Sequence, residues 1–312
     1  MSSTVTHHGH QQPGWRGDLP SILFLATLLL NTVLIAATSS PWLHALLALP
    51  HALFLAGCQE AKHMAVHRTF LSHHGANDAI GVVCAALFGV NFIAYRYFHL
   101  RHHRATCTNA DPEGRLYLLS WKTRWIWLLA PLEVPWVAYH QNRVGWKMVP
   151  PSRYWQRTMA LAWMVTFIAA IGVGAWQSAA VRQSLLWAYV VPATVLSWFD
   201  FVLTQAEHYG VPVTATTRRQ DPGAITQDIL LPPGLGWMTL HRSLHRVHHC
   251  YPSARWHHAP RLLRADPTAA PMTYLAFVRR WMAEGPRLWR PLETIPVVAN
   301  VDTPRAEGGQ SS

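Results

Sequence analysis

Residues 241–249, HRSLHRVHH, place four histidines within nine positions: His241, His245, His248 and His249. Two more groups precede them, His63 and His67 in HMAVH, and His99, His102 and His103 in HLRHH. Imidazoles at i and i+4 of a helix share one face about 6 Å apart, close enough to bind one metal ion. A single H-x-x-x-H means little, since a chain with 20 histidines in 312 residues contains about one by chance. The pattern H-x-x-H-H is expected only about 0.08 times at this histidine content, and it occurs twice. Its positions i, i+3 and i+4 again fall toward one side of a helix.

Ligand count narrows the chemistry. Structural zinc takes four ligands and usually includes cysteine, so eight histidines in three groups exceed its needs. Carboxylate-bridged di-iron bundles draw Glu and E-x-x-H motifs from four helices, which this chain lacks. A zincin needs H-E-x-x-H, and the position after His63 is Met64. Two metal ions sharing the imidazoles fit best, with iron the first-row ion whose histidine-only dinuclear sites perform oxygen chemistry. Neutral imidazole also accepts zinc, copper and nickel, so ligand type alone does not name the metal.

The elements that must position these residues are apolar. Half of the residues are hydrophobic, 16 are Trp, and 13% are charged, against about 25% in ordinary soluble domains. Residues 21–38, 42–57, 158–176 and 185–206 read as four membrane-spanning helices in two hairpins. The run 79–95 is awkward, because crossing would put the histidines before and after it on opposite faces. Working together, they require it to lie in the interface or to dip in and return, with protein covering its backbone ends. Residues 118–140, with Trp121, Trp125, Trp127 and Trp136, have the profile of an interfacial belt. Polar tails at residues 1–20 and 296–312 are expected to be disordered, leaving one embedded domain over residues 21–295. The predicted fold is an all-α integral membrane protein whose cytoplasmic helical cap carries a dinuclear metal site.

Charge supports that parse. Of 26 Lys and Arg, only Arg182 falls in a far-side loop, and the positive-inside rule makes the other side cytoplasmic. The net charge of +11 is thereby explained by topology, and nucleic acid is a poor reading. Cys58, Cys84, Cys107 and Cys250 form no C-x-x-C pair, which fits a reducing compartment rather than a disulfide framework.

The chain resembles the integral-membrane fatty acid desaturase-like superfamily, which also holds alkane hydroxylases and carotenoid oxygenases. The resemblance runs over about residues 55–265: HMAVHRTFLSHHGANDAIG looks like a first histidine box, FHLRHHRATCTNADPE a second, and HRVHHCYPSARWHHAP a third. It implies two iron ions and O2 as co-substrate, with His63, His67, His99, His102, His103, His245, His248 and His249 as ligands. A ninth, His208, is implied by AEHYG after the fourth span. Many members have Asn where this chain has His241, so His241 is expected beside the metals or at the entrance rather than on them. Glu207, Asp111 and Glu113 are candidates to orient the ligand rings. Asp200, an acid inside a span, is a functional candidate by default, placed here near the substrate tunnel. The implied activity is O2-dependent oxidation of an unactivated C–H bond, foremost desaturation of a fatty acyl chain. Hydroxylation or ketolation of an alkane, acyl or carotenoid substrate is the alternative, and a membrane metal-binding protein without catalysis or a haem electron carrier are further ones. The apolar substrate enters from the bilayer, and a ferredoxin or a cytochrome b5-like protein with its reductase supplies electrons.

Overall fold

A computed structural model describes residues 15–115, 128, 130–214 and 221–285. Trp121, Trp125 and Trp127, and nearly all of both polar tails, lie outside the described residues. Helix α1, Trp15–Ala37, begins before the apolar run itself, so residues 15–20 are helical. Helix α2, Pro41–His67, starts with Pro41, whose missing N–H costs nothing in a first turn. Its 27 residues reach about 40 Å, which carries His63 and His67 beyond a bilayer core. The last turn closes on Arg68 in the left-handed conformation (φ 60°).

A broken pair follows: α3, His74–Leu87, and α4, Phe92–Ala105, are bent by 98°. The corner at residues 88–91 uses Gly89 at φ 66°. Its polar backbone is covered by protein. Asn142 donates to the Gly89 carbonyl (2.7 Å) and accepts from the Asn91 N–H (2.7 Å), while Asn91 caps α4 through the Ala94 N–H (3.0 Å). Such cover is what a non-spanning return inside a membrane protein needs. Since His67 at the end of α2 and His99 in the second half of α4 are in contact, the chain comes back to the end of the bundle it left.

Helix α5, Ala130–Met148, packs on α4 and carries the exposed Trp136. Helix α6, Tyr154–Gln177, faces outward along nearly its whole length. Its exposed Trp155 and Trp176 are about 32 Å apart along the axis, matching a hydrocarbon core about 30 Å thick with aromatic residues at both interfaces. The far-side cation closes a helix end, where Arg182 donates to the Ala175 carbonyl (2.9 Å) in the last turn of α6.

The last span runs from α7, Ala179–Leu185, through a π-turn, Leu186–Val190, into α8, Val191–Glu207. Pro192 would press its ring on the Ala188 carbonyl in a regular helix, and widening the turn relieves the clash. That carbonyl meets His51, which also bonds Asn31 at 2.8 Å. His44 bonds the Ile35 carbonyl (3.1 Å) and stacks on Trp187. Both histidines tie spans together.

Short elements close the cap: α9, Pro222–Ile225; β1, Ile229–Leu230; α10, Leu235–Met238; α11, His245–Cys250; α12, Ala259–Ala265; β2, Met272–Thr273, parallel to β1; and α13, Tyr274–Glu284. Helix α2 is central, packed against α1, α3 and α8. Gly57 on α2 admits the Met238 carbonyl and the Phe24 ring so closely that a Cβ would overlap both. Arg255 fastens the cap to the bundle by bonding Asp18 (2.7 Å) on α1 and Ser72 (2.6 Å). Among the described residues four helical segments are long and apolar enough to cross a membrane, and the protein is a multi-pass membrane protein.

Candidate metal centre

Three helices and one helix end bring the nine box-type histidines together. The C-terminal turns of α2 supply His63 and His67, α4 supplies His99, His102 and His103, His208 follows the last residue of α8, and α11 supplies the rest. They sort into two groups, His63, His67, His99, His103 and His248, and His102, His208, His245 and His249. Within each group one ligand atom per ring lies within 4.8 Å of all the others.

The sorting follows helix geometry. At about 100° per residue, positions i and i+4 differ by about 40°, while i+3 and i+4 differ by about 100°. The i, i+4 pairs 63/67, 99/103 and 245/249 therefore each serve one group. The i+3 residues, His102 and His248, point across to the other group. Each H-x-x-H-H segment thus contributes to both sites, and the His103 and His249 rings stack between them at 4.3 Å.

The spacing fits first-row metal ions. Two nitrogens about 2.1 Å from one ion and about 90° apart lie about 3.0 Å from each other. The Nε2 atoms of His67 and His99 are 3.1 Å apart, those of His99 and His103 2.8 Å, and those of His103 and His248 3.0 Å. In the second group His102 and His249 are at 3.3 Å and His208 and His245 at 3.2 Å. Imidazole hydrogen bonds alone do not account for this convergence. A neutral ring carries one proton, and in three rings Nδ1 is the donor. His63 donates to Glu60 (2.9 Å), His102 to both Asp111 oxygens (3.0 and 3.1 Å), and His208 to the Ile225 carbonyl (2.8 Å). The Nε2 atoms of His63 and His208 therefore face the centre as bare lone pairs, and the buried His63 Nε2 has no partner among the described residues. Such an arrangement suits a bound cation.

Electrostatics keeps most of the rings in the binding form. The exception is His102, which, against the effect of burial, the Asp111 and Glu113 carboxyls hold up at about 9. Burial, reinforced by neighbouring imidazoles, pushes His208 down to about 3 and His245, His248 and His249 well below the usual histidine value. Neutral imidazole is the species that ligates metal. Burial pushes the Glu113 carboxyl up; it lies 3.5 Å from His99 Nδ1 and 3.6 Å from His102 Nδ1. Asp111 is wholly buried and also accepts the Cys107 and Glu113 N–H groups, both at 2.9 Å. Glu207 stands 4.0 Å from His245 Nδ1 and 3.4 Å from Arg242, which also pairs with Asp200 at 3.1 Å.

His241 belongs to neither group. Its backbone is left-handed (φ 56°), its ring sits 6.0 Å from Trp256, and it lines a small cavity that also touches His63, His245 and His248. His73 caps α3 (3.2 Å to the Ala76 N–H), and His74, His257 and His258 are likewise in neither group. The sequence reading missed Glu60, Lys62 and Arg242. The first two were open to detection, being the only charged side chains in the 27 residues of α2, where an ionisable group in a span marks function.

A cavity opens beside the centre. Its lining includes His63, His99 and His245 of the centre, the apolar Phe88, Val90, Val137, Ala138 and Phe201, and the charged Asp200 and Arg242.

The sequence model of the family described as "Fatty acid desaturase" matches residues 40–281. No curated protein matches the chain significantly. Because the family match covers most of the chain and takes in every helix that contributes a histidine, this membrane protein belongs to the fatty acid desaturase family and is an oxidoreductase.

Proposed function

We propose that the nine histidines hold two iron ions and that the enzyme desaturates a fatty acyl chain with O2 and two external electrons. The observation that carries this reading is the division of the rings into two adjacent groups at the spacing of neighbouring ligands. When bound, the iron pair supplies an oxidant strong enough to take hydrogen from an unactivated C–H bond. The reaction balances when one O2, two electrons, two protons and two hydrogens from the chain yield two waters and a double bond.

The protein's own groups have defined roles. Glu60, Asp111 and the Ile225 carbonyl accept the Nδ1 protons of His63, His102 and His208, which fixes those tautomers and aims Nε2 inward. Glu207, held by Arg242, faces His245. Phe88, Val90, Val137, Ala138 and Phe201 provide the surface along which an alkyl chain lies, with water excluded. The basic end of the bundle, including exposed Arg68 and Arg104 near the first two histidine segments, faces the cytoplasm and receives an acidic electron donor of the ferredoxin or cytochrome b5 kind.

The test is incubation of iron-loaded protein with a reductase system and lipid pools, followed by product masses. Products two mass units lighter support desaturation. Products sixteen heavier replace it with hydroxylation on the same centre, and the absence of O2-dependent products overturns the reading.

A further inference from the structure

Lys62 is a buried cation that nothing in the mechanism uses. It is 5% exposed and lines the cavity together with His63, His99 and His245. Its ammonium sits 4.0 Å over the Tyr95 ring, which in turn stacks on His99 at 5.6 Å. Among the described residues no hydrogen bond or ion pair reaches it.

The acids of the same cavity are already engaged. Glu60 accepts from His63, Glu113 lies against His99 and His102, and Asp200 and Glu207 pair with Arg242. Arg242 is further occupied by Gln59 (3.0 Å) and Thr204 (3.1 Å). Burying an ammonium with no carboxylate bonded to it is costly, and a ring face offsets only part of that cost. A ligand anion would make up the difference. A monoanion suits this single ammonium, because the other cation of the cavity, Arg242, is already paired with Asp200 and Glu207.

We propose that Lys62 binds the free carboxylate of the substrate. This deepens the acyl-oxidation reading and rests on it: the substrate is an unesterified fatty acid, not an acyl thioester or glycerolipid, whose neutral carbonyl would leave the ammonium unpaired. The chain runs from Lys62 past the histidines along Phe88, Val137 and Phe201, so oxidation falls near the carboxyl end.

The test uses iron-loaded protein in detergent and radiolabelled decanoate in equilibrium dialysis, with methyl decanoate and decylamine as competitors. Decanoate is expected to bind, and the ester and amine to compete at least about tenfold more weakly. Lys62→Met should weaken decanoate binding about 10–100-fold with iron content unchanged, and Lys62→Arg should retain most of the affinity. Equal competition by ester or amine, or undiminished binding to Lys62→Met, overturns the proposal. If Lys62→Met does not fold, the ranking of acid, ester and amine on the unaltered protein decides. Product masses separate this proposal from the reading beneath it. Lys62-dependent binding with no oxidised product keeps the carboxylate site and removes the acyl-oxidation reading. Oxidation of ester and acid alike does the reverse.

Discussion

Replacing Asp111 by Asn changes one atom of the centre's support and should be felt in iron affinity. The carboxylate has no exposed surface and accepts three donors, His102 Nδ1 at 3.0 and 3.1 Å and the N–H groups of Cys107 and Glu113 at 2.9 Å. In Asn one oxygen becomes an NH2, which must face one of those N–H groups and strand it, at about 1–3 kcal/mol. That cost falls on the metal-free and the metal-loaded fold alike. The loss of negative charge on His102 is felt in addition by the metal, where orienting partners are worth about 10–100-fold in affinity, or about 1.4–2.7 kcal/mol. The damage should stay in the group of His102, His208, His245 and His249. Glu60→Gln, which loosens His63, should do the same to the other group. Competition with a graded chelator, read together with melting of metal-free and metal-loaded protein, distinguishes the two costs. At a chelator concentration that leaves the unaltered enzyme with both irons, Asp111→Asn should keep one. Iron affinity unchanged at both sites, with only the melting temperature lowered, would show that Asp111 merely folds its loop.

His248→Ala should lose iron and all turnover, while His241→Asn keeps its iron and part of its activity, since Asn tolerates the left-handed backbone of residue 241; the check is iron content and product formation at matched expression. Single cysteines at positions 72 and 243, in a background without the native ones, should be labelled from the same membrane face, and labelling from opposite faces would contradict the return of α3 and α4. In the metal-free protein His208 is held down to about 3 and His241 to about 4, so below pH 6.5 the unfolded chain takes up protons that the fold refuses. Against the effect of burial, the Asp111 and Glu113 carboxyls hold His102 up at about 9, so the melting temperature should fall from about pH 7 toward pH 4 and also as pH rises from 7 through 9. A curve flat below pH 7 would show that His208 and His241 are not buried neutral.

Three of the spans were legible because 18 or more apolar residues have few other uses in a chain, and the shorter run 42–57 because it pairs with the first as a hairpin. The histidine segments were legible because H-x-x-H-H is improbable by chance, and the contact of His67 with His99 agrees with a run 79–95 that returns instead of crossing. The assignment of rings to ions was not legible. His102 and His103 are neighbours in sequence yet belong to different groups, because that depends on which side of α4 and α11 each ion sits, which tertiary packing decides. Among the acids, Asp111 and Glu113 could be named from their nearness to the second histidine segment. Glu60 was overlooked, although it stands one helical turn before His63 in a charge-poor helix that it shares only with Lys62. Arg242 looked like one more basic loop residue, and only the fold brings it to Asp200 and Glu207 on α8.

The most direct measurement is the metal content of protein purified from iron-supplemented cells, with Mössbauer spectra of the same sample. Two irons per chain, in nitrogen-rich sites, are expected for the unaltered protein, and fewer after His248→Ala. A single zinc, a haem absorption band, or no iron in a folded and fully extracted protein would contradict the dinuclear iron centre outright.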